Sequence, residues 1–397
     1  MMKKVNIDRL DMLSFLNGLV FYAPVALLVR TNAGVTMAQF FVLQAILSIT
    51  VFLLEIPTGV ITDRIGYKNT MILAQITMFL AKVLMLAAFL TGSYRIFVIE
   101  AVAEGFSACF LSGTQDAYIY SVYRNEQYAV KMAHVANFGT AGFVLSTLLY
   151  VGLYHFGGIG MLIMSTMMAC GVGIPCAAGI RREPTVREPG SEDAIPVASK
   201  GSVMGILVVF SDVRMILMVF LASGFSLGFL LINFFYVDKL AVCGLREELM
   251  SPIIIAYSVT QMLAEKILGW IEHAHYRTVM LVSIILSGVV MILFAYNRTT
   301  MVVIGIMVLL PLLLSFSEFI LDYMMNTHID RCGQANNRAT VLSVANMVSN
   351  IMEIVFLFAS AYIVSIGISA CFVSAGIILM LFGIGVYWKH IENKVEI

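Results

Sequence analysis

The sequence predicts an all-α membrane protein with twelve transmembrane helices in two pseudo-symmetric six-helix bundles. Of its 397 residues, 60% are hydrophobic and only 12% are charged, whereas a soluble domain carries roughly 25% charged residues. The mean hydropathy is +0.94, and apolar runs long enough to cross a bilayer, about 20 residues each, follow one another along the chain. The net charge of +0 provides no electrostatic basis for nucleic-acid binding.

Short polar turns separate the twelve predicted spans. Several spans contain proline, such as Pro24 and Pro311, which membrane helices tolerate better than soluble helices do. The first run is too long for a cleavable signal and more spans follow it, so we expect it to be retained. The predicted spans are 10–30, 37–60, 69–91, 95–121, 131–154, 158–180, 213–237, 249–271, 277–296, 300–326, 338–364 and 368–388.

A polar segment interrupts the apolar pattern in the middle of the chain. Residues 181–200 contain almost no large apolar side chain, which is typical of a mobile linker, and residues 202–213 fit an amphipathic helix on the membrane surface. The identity of Val135–Asn137 with Val344–Asn346 agrees with two repeated halves. The predicted domains are an N-terminal six-helix bundle over 1–180, a cytoplasmic linker over 181–212 and a C-terminal six-helix bundle over 213–397.

The positions of the basic residues predict the orientation of the chain. Most of the 24 Lys and Arg residues fall at the N-terminus, at the C-terminus and in the even-numbered turns. Positive charge is retained on the cytoplasmic side. We therefore expect a multi-pass protein with both termini in the cytoplasm.

A charged hairpin joins the second and third predicted spans, between Glu55 and Lys68. An apolar run ends near Pro57, and the next one begins shortly after Lys68. We expect Gly59 to allow two helices to approach closely. We expect Gly66 to adopt the positive φ that so short a turn requires.

This hairpin resembles the loop between helices 2 and 3 of the major facilitator superfamily of secondary transporters. The order of Gly59, Asp63, Arg64, Gly66 and Lys68 follows the family pattern, and only Tyr67 stands where arginine is usual. Stretches in the fourth span, 112–120, and at the start of the eleventh, 338–343, look like a bacterial branch of that family. The residues that the resemblance assigns to a cytoplasmic gate are Glu55, Gly59, Asp63, Arg64, Gly66, Lys68, Asp116 and Arg338.

The resemblance implies the major facilitator fold and transport by alternating access between the two bundles. The branch implies proton-coupled efflux of small amphipathic or cationic compounds by a monomer in the cytoplasmic membrane of a bacterium, with H+ as the coupling ion and no cofactor. Two alternatives stay open. One is proton-coupled uptake of a metabolite or anionic nutrient, with Lys82 as a ligand. The other is a flippase or a membrane sensor that does not transport.

Lys82 is a basic residue near the middle of a predicted span. It and Glu104 each lie about eleven residues from the turn near Ser93, so both reach a depth of about 16 Å at 1.5 Å per residue. Antiparallel neighbours at equal depth can touch, which predicts a Lys82–Glu104 ion pair. The alternative is that Lys82 extends toward the interface and only closes the helix pair.

Ionisable groups inside a membrane are costly and are therefore functional candidates. Glu318 and Asp322 share one face of the tenth span, as Glu100 and Glu104 share one face of the fourth. The family resemblance implies that the first, fourth, seventh and tenth spans line the central cavity. No enzyme motif or metal-ligand spacing accompanies these groups, and the six cysteines are scattered. The candidates for the substrate and proton pathway are Lys82, Glu104, Glu318, Asp322, Glu353, Asn17, Tyr22, Asn233 and Tyr236.

Overall fold

The computed structural model is helical in nearly all of the residues that it describes. These are residues 7–111, 114–122, 126–182, 210–245, most of 252–260, 276–333 and 338–392. Contacts divide the chain into two units. The first comprises Met1–Arg187 and Glu247–Ile254, and the second comprises Glu188–Arg246 and Ile255–Ile397.

The helices of the first unit cover its six predicted spans. Between α1 and α2 the first span is interrupted by a 3-10 turn, Ala23–Val25. The fourth span is divided into α5 and α6. The fifth and sixth spans together form α7, which turns at Gly157 and Gly158 through non-helical backbone angles. The bounds are α1 Arg9–Gly18, α2 Ala26–Thr31, α3 Met37–Ile65, α4 Tyr67–Thr91, α5 Tyr94–Leu111, α6 Thr114–Val122 and α7 Glu126–Ala178.

The helices of the second unit cover five of its six predicted spans. Most of the remaining predicted span, 249–271, lies outside the described residues. In the described part of both units, nine helical segments are long and apolar enough to cross a membrane, and one of them, His134–Ala178, contains two predicted spans. The bounds are α8 Val213–Val242, α9 Tyr276–Tyr296, α10 Thr300–Arg331, α11 Arg338–Ile363 and α12 Ile368–Glu392.

The predicted linker, 181–212, lies largely outside the described residues, as does the predicted surface helix 202–213. The domain boundaries at 180 and 213 therefore stay predictions. At the start of α8, Asp212 caps the helix and accepts hydrogen bonds from the Arg214 backbone at 2.9 Å and from Arg214 Nε at 2.9 Å. Partial burial would raise the pKa of Asp212, but these hydrogen bonds and the Arg214 charge outweigh it and hold the pKa below its ordinary value of 3.8.

The hairpin between α3 and α4 is tighter than the sequence predicts. The second span was expected to end near Pro57, but α3 continues through this proline to Ile65, because a membrane helix tolerates an internal proline. The turn then consists of Gly66 alone, whose φ of 84° confirms the expected positive-φ corner. The expected close approach at Gly59 is wrong for the described residues, because a Cβ there would meet nothing within 4 Å.

Helices α1 and α7 approach closely at a different set of glycines. A Cβ added to Gly18 would lie 2.0 Å from the carbonyl oxygen of Gly139, and one added to Gly142 would lie 2.1 Å from that of Phe15. Small residues permit such backbone contact between membrane helices. This contact holds the first span against the fifth and so positions the break after Gly18.

Candidate functional site

Five polar side chains of the first unit form a network inside its helices: Tyr22, Arg30, Lys82, Glu100 and Glu104. We call this set the polar network. It contains two basic and two acidic groups. All of its members except Glu104 are buried.

The break in the first span places Tyr22 in this network. Pro24 has no backbone N–H to donate to a helix. The backbone N–H of Phe21 donates to a side chain outside its own span, Thr166 Oγ1, at 3.0 Å. Another part of the protein thus satisfies a backbone group at the break, as a membrane interior requires. Tyr22, between Phe21 and the 3-10 turn, accepts a hydrogen bond from Lys82 Nζ at 3.0 Å.

Lys82 on α4 and Glu104 on α5 form the predicted ion pair, with Nζ and Oε1 3.0 Å apart. The depth argument is confirmed, because the chain turns at Gly92 and Ser93 between the two helices. The Lys82 side chain is 4% exposed and that of Glu104 is 25% exposed. Glu104 is therefore the more accessible member of the pair.

Arg30 on α2 and Glu100 on α5 form a second, looser pair. Their Nη2 and Oε1 atoms are 3.5 Å apart, and the side chains are 8% and 1% exposed. Arg30 Nη1 donates to the Ala26 carbonyl at 3.3 Å. Its Nε is buried without a hydrogen-bond partner in the described part of the chain. Buried donors are normally satisfied, so this guanidinium retains capacity for another acceptor.

The two pairs are electrostatically linked. Glu100 and Glu104 lie one turn apart on α5, and their carboxyl groups interact. Two carboxylates this close favour binding of a proton between them. A proton on Glu104 would also cancel the charge that holds Lys82. A proton bound at Glu104 would therefore weaken the Lys82–Glu104 ion pair.

A second polar set, which we call the acidic set, lies in the second unit. Glu318 and Asp322 are one turn apart on α10; Glu318 is half-buried and Asp322 is exposed. Tyr257 is buried near Glu318 and the half-buried Asn233 of α8. Its hydroxyl lies in no hydrogen bond that meets normal geometry among the described residues. These groups offer donors and acceptors to a ligand.

The other predicted pathway residues are not members of these two sets. Asn17 is half-buried near the end of α1, Tyr236 is buried in α8, and Glu353 is half-buried in α11. Their assignment to the substrate or proton pathway stays a prediction.

The described part of the gating set lies around the α3–α4 turn. Glu55, Gly59 and Arg64 are exposed on α3, and Lys68 is half-buried at the start of α4. Three members, Asp63, Asp116 and Arg338, have side chains outside the described part of the structure, so their contacts stay predictions.

Comparison with known proteins decides the family. A family model described as Major Facilitator Superfamily matches residues 10–357. The chain belongs to the Major Facilitator Superfamily. It is therefore a multi-pass membrane transporter rather than an enzyme, and it binds a small-molecule substrate within the membrane.

Two solved structures resemble this superfamily member over nearly its whole length. A mutant of the nucleoside transporter NupG superposes with a TM-score of 0.76 at 14% sequence identity, covering 97% of this chain and 98% of that one. NupG itself gives a TM-score of 0.71 with the same identity and coverage. At this identity the likeness shows the fold alone. No curated protein sequence matches the chain.

Sequence reasoning missed three parts of the sites in this superfamily member. Arg30, the last residue of the first predicted span, and Glu100 on the fourth were not among the predicted pathway residues, yet both are buried. The sequence did carry a signal for this contact. Arg30 and Glu100 have opposite charges, and they lie near the ends of the first and fourth predicted spans that face the same side of the membrane. Tyr257 was missed because a tyrosine in an apolar run has no distinctive pattern.

A buried ion pair at the other end of α1 was also missed. Lys131 Nζ lies 2.7 Å from the carboxylate of Asp11, and both side chains are 0% exposed. His134 Nδ1 approaches the same carboxylate at 3.1 Å. Asp11 lies two residues after the start of α1, and Lys131 is the first residue of the fifth predicted span. Each lies at the edge of a span, so neither was considered a membrane charge.

Proposed function

We propose that this transporter exports small cationic or amphipathic compounds in exchange for protons. The observation that carries the proposal is a difference between the two units. Each acid of the polar network has a basic partner, whereas Glu318 and Asp322 have no ion-pair partner in the described part of the chain. Unpaired carboxylates in a partly dry site attract a cation.

The polar network supplies the proton site in this proposal. Glu104 is the less buried acid of the network and lies within reach of both Lys82 and Glu100. Its protonation would weaken the hold on Lys82, and its deprotonation would restore it. Because this ion pair joins α4 to α5, binding or release of the proton would change how these two helices hold together.

The proposal extends to the gate and to the setting of the protein. The gating set would close the cytoplasmic end, with both termini in the cytoplasm of a bacterium and the monomer as the working unit. The coupling ion would be H+, which requires no cofactor.

A second candidate is proton-coupled uptake of a polar metabolite. The convergence of Asn233, Tyr257 and Glu318 favours it, because an amide, a hydroxyl and a carboxyl recognise a hydroxylated solute by hydrogen bonds. The two similar solved structures are of a nucleoside transporter, which makes nucleosides a reasonable test class. Uptake of an anion bound directly by Lys82 is less favoured, because Glu104 already neutralises that ammonium group.

Flux into proteoliposomes under an imposed pH gradient tests both candidates. The panel contains lipophilic cations, nucleosides and anionic metabolites. Exchange of a cation against protons supports the first candidate, accumulation of a nucleoside with protons supports the second, and flux of anions alone contradicts both.

Two variants separate the roles of the sets. Glu104→Gln is expected to abolish flux driven by the pH gradient while leaving exchange of labelled for unlabelled substrate. Asp322→Asn is expected to weaken binding of a cationic substrate about tenfold, the usual effect of losing one charged contact. Arg298→Gln, on the exposed α9–α10 turn, is the control and should change neither.

A further inference from the structure

A cavity of about 150 Å³ lies between the first turn of α9 and the last turns of α10. Two arginines, one histidine, two tyrosines, a threonine and a methionine line it, and no carboxylate is among the described residues of its lining. Its volume equals that of about five water molecules, at about 30 Å³ each, which is enough for a tetrahedral oxyanion. The lining residues are Tyr276, Arg277, Tyr323, Met324, Thr327, His328 and Arg331.

The two arginines of this cavity have no acidic partner among the residues that the structure describes. In the described part of the chain, neither Arg277 nor Arg331 takes part in a hydrogen bond or ion pair. Arg277 is half-buried and Arg331 is exposed. Guanidinium groups present planar donors that match phosphate oxygens. Two of them at one concave site attract an anion more strongly than scattered surface charges do.

His328 is held in place at the base of the cavity. It is 3% exposed, its Nε2 lies 3.5 Å from Asp212 Oδ2, and the Cys332 sulfur lies 3.7 Å from the same nitrogen. Asp212 is itself engaged by Arg214. The ring is therefore held by its Nε2 contacts while it lines the cavity.

The surroundings of the cavity suit an amphiphile. Tyr276 and Tyr323 pack edge to face, with centroids 5.5 Å apart and planes at 82°, and tyrosine is typical of the membrane–water interface. Phe319 lies one turn from Tyr323 on α10, and both are exposed. An apolar track thus continues along α10 away from the arginines.

We propose that this cavity binds a phosphate group, carried either by the headgroup of an anionic phospholipid or by a soluble phosphate ester. Basic pockets between membrane helices on the cytoplasmic side bind anionic headgroups. The charge pattern predicts that this end of α9 and α10 faces the cytoplasm. The lining of the cavity shares no residue with the polar network or the acidic set, so its test does not depend on the transported substrate.

The test measures binding by the purified full-length protein in detergent. Native mass spectrometry counts bound phosphatidylglycerol against phosphatidylcholine, and inorganic phosphate is added in a separate arm as a competitor. We expect the wild type to bind phosphatidylglycerol preferentially. The variant Arg277→Gln/Arg331→Gln should bind it at least about tenfold more weakly, because it loses two charged contacts.

Arg298→Gln is the matched control, because Arg298 lies at the opposite end of the same helix pair. It should bind like the wild type. If the double variant does not fold, the single variant Arg331→Gln tests the role of the arginines in lipid binding. Arg331 is exposed, so its replacement should not destabilise the fold.

If millimolar phosphate displaces phosphatidylglycerol from the wild type but not from the arginine variants, the site belongs to soluble phosphates. Retention of phosphatidylglycerol despite phosphate would assign it to the lipid headgroup. Equal lipid binding by the wild type and the arginine variants would overturn the proposal, as would the absence of any preference for the anionic lipid together with no effect of phosphate.

Discussion

The Lys82–Glu104 ion pair predicts an unequal response to the loss of either partner. The Lys82 side chain is 4% exposed, whereas that of Glu104 is 25% exposed. Glu104→Ala leaves a buried ammonium group whose remaining hydrogen-bond partner is the Tyr22 hydroxyl. Lys82→Ala leaves a carboxylate that water already reaches. The first substitution should therefore be the more damaging.

The magnitudes follow from the cost of an uncompensated buried charge. Removing one member of a fully buried pair costs about 3–5 kcal/mol, and we expect Glu104→Ala to cost about 3 kcal/mol because Tyr22 still solvates the amine. Lys82→Ala should cost about 1–2 kcal/mol, because the partly exposed carboxylate regains hydration. The double variant Lys82→Ala/Glu104→Ala has neither charge, so we expect a coupling of about 2–3 kcal/mol. This coupling exceeds the cost of Lys82→Ala and should make the double variant more stable than Glu104→Ala alone.

Thermal unfolding of the purified protein in detergent measures this order, and flux into proteoliposomes measures its functional counterpart. Lys239 supplies the control, because it lies in the second unit and donates to the Ala295 carbonyl. The effects of Lys239→Ala and Glu104→Ala should simply add. Equal losses in the two single variants, with a double variant that matches their sum, would refute the reasoning.

Four further predictions concern packing, charge and gating. Lys131→Ala removes the ammonium partner of the fully buried Asp11 carboxylate and leaves it with His134 and the Asp8 backbone N–H, and at about 3 kcal/mol it should reduce the yield of monodisperse protein on size exclusion. Gly142→Ala places a Cβ 2.1 Å from a carbonyl oxygen of α1, and overpacking of about 1–3 kcal/mol should lower the melting temperature by several degrees. Asp63→Asn should abolish flux without changing the amount of inserted protein. Asp212→Asn should lower the melting temperature at neutral pH, and the difference from the wild type should vanish in strong acid. The pKa of Asp212 is lower in the folded protein than in the unfolded chain. Its carboxylate therefore stabilises the fold above about pH 4, and this stabilisation is lost as the pH falls through the folded-state pKa.

Each of these predictions has a clear contrary result. A normal yield of Lys131→Ala would show that Asp11 finds another partner. An unchanged melting temperature of Gly142→Ala would mean that α1 and α7 separate at little cost. Normal flux in Asp63→Asn would remove it from the gate. A melting-temperature difference for Asp212→Asn that persists in strong acid would show that its carboxylate charge does not cause the stabilisation.

The contacts within one helical hairpin could be predicted, and those between distant helices could not. Lys82 and Glu104 lie at equal distances from one turn, so counting residues sufficed to bring them together. Arg30 and Glu100 belong to spans that are not consecutive, and their contact depends on how the first span packs. The break around Pro24 changes that packing, and no counting rule anticipates its angle.

The sequence alone determined that this protein spans a membrane, where its helices run, and that it turns sharply at Gly66. These features follow from local chemistry, because hydrocarbon excludes unbonded backbone and a one-residue corner demands a residue without a Cβ. The tertiary structure decided which charges meet. It brings Tyr22 to Lys82, Glu100 to Arg30 and Asp11 to Lys131, because the partners stand on helices that only long-range packing places side by side.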